Sequence, residues 1–225
     1  MSQKLINILQ FKFYLYKSSY LREIFHTIRV KYFMLNHEKK LFDIKLKPKS
    51  IIFDVGGYEG TFTNRLINNN AESNFYIFEP IFKYYKNIKN KFKNINNVFI
   101  FPFGLSNQDT KVPLEINLDR TSHNKFIDDQ ADFELSSLKR ISTFIVENKL
   151  SEIDLIKLNV EGAEYEILED LIDSNLLKNI RVLLIQFHLN KSEDYNKYIK
   201  IRDKILMTHK CDFNSIFVWE KFSLR

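Results

Sequence analysis

The sequence predicts an α/β fold, a mainly parallel, Rossmann-like sheet covered by helices. Three observations lead there. Short, almost wholly apolar runs alternate with helical patterns along most of the chain, as βαβ units require. The first such run, IIFDVGGYEGTFT at Ile51–Thr63, passes from a buried strand through a glycine turn into a helix. The distinctive polar residues (Gly56–Gly60, Glu79, Ser106, Asn159–Glu164 and His188) each follow an apolar run. They therefore fall at the carboxyl ends of strands, where ligands bind in such sheets.

Taken in order, residues 1–47 form an N-terminal helical segment and residues 48–225 the main domain, with Lys45–Ser50 and its Pro48 as the junction. The segment is rich in aromatics and bases, among them Phe11, Phe13, Tyr14, Tyr16, Tyr20, Phe25, Tyr32 and Phe33 beside Lys12, Lys17, Arg22, Arg29 and Lys31. Two readings compete: a helical cap on the main domain, or a basic aromatic face on an anionic membrane surface. After the first strand, Gly60–Asn70 reads as a helix with Phe62, Leu66 and Ile67 inward. NFYIFEP at Asn74–Pro80 is a second strand ending in Glu79. Pro80 ends its ladder and opens a helix to about Lys93. Val98–Pro102 is a third strand, and Thr110–Leu118 a short additional one. Arg120–Leu135 is polar and is expected to be a loop over the site. Ser136–Asn148 mixes strand and helix signals. Ile153–Val160 (IDLIKLNV) is a fourth buried strand, and Glu161–Glu164 turns into a helix to about Ile172. Ile180–Phe187 is a fifth strand with His188 at its end. Glu193–Thr208 is helical, and Asp212–Phe222 closes the sheet as a strand or hairpin.

Composition narrows the function classes. Hydrophobic content of 44% and charged content of 28% are those of an ordinary globular chain. The net charge of +6 comes from lysines spread throughout, so it does not point to a nucleic-acid groove. The single Cys211 excludes an internal disulfide framework and fits a reducing compartment. No CxxC or HExxH announces a metal site. No apolar run reaches the roughly 20 residues of a membrane span. The N-terminus has no continuous apolar leader, since Lys12 and Lys17 interrupt it. A cytoplasmic protein is expected, peripheral to the inner membrane face if the second reading of the N-terminal segment holds.

The ligand follows from the acids around the turn. Glu79 lies 19 residues beyond Gly60, at the spacing of a carboxylate that accepts ribose hydroxyls. Gly56-Gly57-Tyr58-Glu59-Gly60 is not GxGxxG, and Glu59 stands where a pyrophosphate would sit. Asp54 adds negative charge nearby. An acidic turn repels a dinucleotide and tolerates the cationic sulfonium of S-adenosylmethionine (SAM). A SAM site is therefore expected. An NAD-dependent sugar-modifying enzyme and a non-catalytic binding module stand as the alternatives.

The residues DVGGYEGTFT, FEP at Phe78–Pro80 and IDLIKLNVEGAEYEIL at Ile153–Leu168 resemble the FkbM family of SAM-dependent methyltransferases. IQFH at Ile185–His188, Thr208-His209 and FVWE at Phe217–Glu220 are similar to one bacterial branch of it. The resemblance covers about residues 50–220. It implies the class I methyltransferase sheet, seven strands with one antiparallel, and O-methylation, often of sugars in surface polysaccharides. It puts Asp54, Gly56, Gly60 and Glu79 on SAM, with Leu105 and Ser106 near the adenine. Gly57, Tyr58, Pro80 and Asn159 complete the cofactor set. The family usually has DVGAN-x-G where this chain has Gly57 and Tyr58, and often Asp where it has Asn159. An Asn hydrogen-bonds but carries no charge. Tyr58 has two readings, a cation–π contact with the sulfonium or a cover for the turn. A sugar hydroxyl has a high pKa, so a general base is expected. His188 is the first candidate and Glu161 the second. Each has a bland reading: His188 as a positioning residue, Glu161 as a helix cap. Glu164 is expected on the helix surface or behind the site. The expected partner is a sugar or glycan acceptor, not nucleic acid, and no metal is called for.

Overall fold

The computed structural model describes residues 19–116, 133–189 and 194–225. The chain begins there with α1 (Ser19–His37) and a short α2 (Lys39–Phe42). Then follow β1 (Ile51–Val55), α3 (Thr61–Ile67), β2 (Asn74–Phe78), α4 (Phe82–Lys91) and β3 (Val98–Phe101). Next come β4 (Gly104–Ser106), β5 (Thr110–Glu115), β6 (Phe133–Arg140) and α5 (Ile141–Glu147). The second half holds β7 (Leu155–Leu158), α6 (Glu164–Asp173), β8 (Val182–Ile185), α7 (Asp194–Thr208), β9 (His209–Ser215) and β10 (Trp219–Leu224).

Seven strands form one sheet in the order β3-β2-β1-β7-β8-β10-β9. Every pairing from β3 to β8 is parallel, and β10 runs antiparallel to both of its neighbours. The single reversed strand expected from the resemblance is thus β10. The central strands β7 and β8 are buried at every position, which is why they read as continuous apolar runs.

The sheet separates two cores. On one face Phe53, Val55, Phe78, Ile156, Leu158, Leu183 and Ile185 meet α5, α6 and α7. On the other, Ile52, Phe75, Leu155, Val182 and Leu184 meet Leu66 and Ile67 of α3, Phe33 of α1 and Leu41 of α2. Strand alternation sorts Ile52 to one core and Phe53 to the other. The side of α1 that carries Phe33 therefore caps the sheet.

A second, three-stranded sheet, β4-β6-β5, departs from the sequence expectation. Ser136–Arg140, with its mixed signals, belongs to β6. The strand reaches back to Phe133, into the end of the expected loop. β6 holds because β4 pairs along one edge and β5 along the other. Ser106 ends β4, so it sits in this small sheet and not on the rim of the main one. The closing segment is a hairpin, β9–β10, and starts three residues earlier than expected. The expectations for residues 2–18 and 120–132 lie outside the described residues.

Candidate active site

The rim formed by the carboxyl ends of β1, β2, β7 and β8 collects four of the groups singled out in the sequence: the glycine turn, Glu79, Asn159–Glu164 and His188. Gly56 and Gly57 both donate their N–H to the carbonyl of Phe78, at 3.0 and 3.1 Å, which ties the turn to the end of β2. Gly56 has φ +79°, and a Cβ there would stand 2.0 Å from the carbonyl oxygen of Asn159. At Gly57 a Cβ would stand 2.4 Å from Ile77 Cγ2. Both positions exclude a side chain by close approach of neighbouring strands. Tyr58 also takes a left-handed φ, +51°, and its ring meets Tyr84 edge-on at 4.6 Å between centroids.

Glu79 is almost fully buried. Its Oε2 accepts the N–H of Tyr58 at 2.6 Å and its Oε1 the N–H of Ile81 at 3.0 Å. The carboxylate binds the turn to the start of α4. Each of its oxygens has two lone pairs, so capacity for further donors remains. Pro80, next along, accepts a bond from Ser136 through its carbonyl.

Asp54 lies beneath the turn. Its Oδ2 accepts from Thr63 Oγ1 at 2.8 Å, and its Oδ1 is 2.9 Å from Lys157 Nζ. Lys157 stands opposite Asp54 in the β1–β7 register and donates also to the carbonyl of Gly56 at 2.8 Å. Asp54 therefore does not add net negative charge at the turn, because a buried ammonium cancels it. Lys157 was missed in the sequence. The available signal was a lysine inside an otherwise apolar strand, which demands a buried partner, and Asp54 is the lone acid of β1.

Across the rim, His188 is buried and flanked by two carboxylates. Glu164 Oε1 lies 3.3 Å from its Nδ1 and accepts its backbone N–H at 2.6 Å. Glu164 Oε2 accepts the N–H of Gly162 at 2.8 Å. Tyr165, the next residue of α6, donates its hydroxyl to the His188 carbonyl at 2.7 Å. Glu164, expected on the helix surface or behind the site, is wholly buried and holds both the turn and the histidine. Glu161, at φ +53°, is half exposed, with its Oε2 3.6 Å from His188 Nε2. It is Glu164, the first residue of α6, whose carboxylate accepts a backbone N–H of the turn before the helix, that of Gly162.

Leu105 is packed in the core beside Phe78, and Ser106 donates to Glu166 Oε2 at 2.7 Å on α6. Asn159, at the end of β7, has a buried Oδ1 with no hydrogen-bond partner among the described residues. An orphaned buried acceptor beside the glycine turn suits a ligand bearing an ammonium group, and the buried carboxylate of Glu79 at the end of β2 suits its ribose. These residues therefore fit SAM. Among the described residues, no group of three or more His, Cys, Asp or Glu is placed to hold a metal ion.

The chain is similar to proteins of known structure. Fibrillarin, in its complex with Nop5p, superposes with a TM-score of 0.52 at 11% identity, over 88% of this chain and 83% of that one. At that identity the likeness is one of fold. TrmK of M. capricolum, solved with S-adenosyl-homocysteine, gives 0.46 at 14% identity, over 85% and 70%. No curated protein matches the chain. The model of the methyltransferase FkbM domain matches residues 54–215, from the acid beneath the glycine turn to the end of β9. The chain therefore belongs to the FkbM family of methyltransferases, and its cofactor is S-adenosylmethionine.

Proposed function

We propose that the protein methylates a hydroxyl oxygen of a sugar, in the biosynthesis of a surface polysaccharide. The observation that carries this is the Glu164–His188–Glu161 array on the same rim as the glycine turn and Asn159. SAM, when bound, supplies a methyl group made electrophilic by a cationic sulfur. The rest falls to the chain. A carboxylate at Nδ1 favours the tautomer with its proton on Nδ1, which leaves the Nε2 lone pair as the base. Nε2 takes the proton as the acceptor O–H bond breaks. Glu164 and Glu161 stabilise the imidazolium that results. Asn159 Oδ1 is offered to the ammonium of the methionine part, and Glu79 to the ribose hydroxyls. Asp54, Gly56, Gly57 and Gly60 shape the turn beneath, Tyr58 packs on Tyr84 beside it, and Pro80 follows Glu79 at the end of β2, while Leu105 in the core and Ser106 on Glu166 support the site from behind.

A neutral polyol suits this rim better than a nucleic acid. Glu59 and Glu161 are exposed there, and exposed carboxylates oppose a phosphate backbone while accepting sugar hydroxyls. The test is incubation with isotopically labelled SAM and isolated glycans, followed by mass spectrometry. Transfer to a sugar hydroxyl is expected. SAM binding without transfer to any glycan would instead leave a binding module.

His188→Gln should lower kcat by about 10²–10⁴, with SAM affinity near wild type by calorimetry. A loss under about tenfold removes the general-base role, and an equal or larger loss in Glu161→Gln alone would move the base to Glu161.

A further inference from the structure

We propose that the outer face of α1 docks the protein on an anionic lipid surface. The sequence offers cap and membrane as rival roles for this segment, but the helix has two apolar faces, and each role takes one. Inward, Phe33 is buried against Leu41 and Phe213, Val30 packs beside it, and Arg29 donates to the carbonyl of Ile216. Outward, Ile28, Tyr32 and Leu35 follow one another at helical spacing and stay 55%, 61% and 85% exposed. A helix that served only as a cap would be polar on that side. Three large apolar side chains in one stripe mark an interaction surface.

Charge selects the occupant. Lys31 is exposed one turn from both Ile28 and Leu35, a position from which a lysine lays its stem on apolar surface and keeps its ammonium in water. Glu38, the acid that follows the helix, is paired with Arg65. From Met1 to His37 the sequence holds one acid, Glu23, among Lys4, Lys12, Lys17, Arg22, Arg29 and Lys31. An exposed apolar stripe with Lys31 beside it, in a segment whose sequence is basic, suits the plane of an anionic bilayer surface. A second copy of the chain fits less well, because an isologous contact sets the Lys31 side of one helix against the same basic surface of the other. No helix among the described residues is long and apolar enough to cross a membrane, so the contact is one of lying on the surface. This inference is independent of the acceptor proposed above.

The full chain is sedimented with vesicles of phosphatidylcholine alone and with vesicles holding about 30% phosphatidylglycerol, an anionic lipid. Binding to the anionic vesicles only is expected, and it should weaken as ionic strength rises from about 0.1 M to about 1 M, where screening tightens from ~10 Å to ~3 Å. Ile28→Ser with Leu35→Ser should lower vesicle affinity at least about tenfold, while thermal unfolding and SAM binding stay near wild type. Lys31→Glu, which leaves every apolar contact in place, should weaken binding to anionic vesicles by several-fold and serves if the double variant fails to fold. Wild-type chain that ignores both vesicle types, or variants that bind as wild type does, would overturn the proposal. So would a dimer in sedimentation velocity that Leu35→Ser dissociates, since the face would then belong to a second copy.

Discussion

Lys157 is a charged side chain in a strand otherwise made of buried hydrocarbon, and it is tolerable only because Asp54 lies 2.9 Å away. Both side chains are almost wholly excluded from water. Removing one partner leaves the other charge buried and alone. We expect Lys157→Met to lose about 3–5 kcal/mol in urea unfolding, and Asp54→Asn added to it to restore much of that. If the single variant unfolds like wild type, the pair does not hold the turn. Glu79 makes a second residue-level case. Glu79→Ala should bind SAM clearly more weakly by calorimetry, whereas unchanged affinity would take the carboxylate out of the cofactor site. The sequence showed that Lys157 needs a buried partner but not that strand register would set it opposite Asp54, and the reach of Glu164 under His188 left no sequence signal. Each contact joins residues far apart in sequence, and only strand register brings them within a few ångströms.

Among the elements, the β1 turn is the most constrained. Gly56 needs a left-handed φ and also has the carbonyl of Asn159 where a Cβ would go. Gly56→Ala should therefore cost at least about 2 kcal/mol and abolish SAM binding, read by thermal unfolding with and without cofactor. A variant as stable as wild type would mean that β1 and β7 can part without cost. The turn was readable because glycine after an apolar run has few other uses. β6 was not. FELSSLKR carries serines and mixed charge, and what makes it a strand is the two partners on its edges. It carries Glu134, whose carboxylate accepts the N–H of Phe82 at the start of α4 and so holds the small sheet against the main domain.

Over the whole molecule, the β9–β10 hairpin is fastened by buried polar groups. Glu220 accepts from Tyr198 and Arg202 of α7. His209 shares a 2.8 Å bond with the carbonyl of Ile180 and another with Thr208. Burial pushes the His209 imidazole below its ordinary range, against the smaller opposing effect of the Ile180 carbonyl. The native state thus binds fewer protons than the unfolded chain. The stability this contributes is complete above the unfolded value of about 6.5 and is lost as pH falls through the lower folded value. We expect the melting temperature to fall between about pH 7.5 and 5.5 more steeply in wild type than in His209→Gln. Burial pushes Glu220 the other way, upward, and the comparison of the two proteins cancels it. Equal slopes would show that His209 does not titrate with folding.

Much of this architecture was written in local pattern. Apolar period, glycine and proline positions and the placement of polar residues after strands announced the parallel sheet, and the resemblance of DVGGYEG and DLIKLNVEGAE announced the family and its donor. Those signals are short-range, because a buried parallel strand must be apolar at nearly every position. Three things came from the assembled molecule: which acid meets which base, which face of α1 is spent on the sheet, and where the second sheet finds its partners. Each depends on distances between segments remote in the chain, and pairing across such distances leaves no periodic trace in either segment alone.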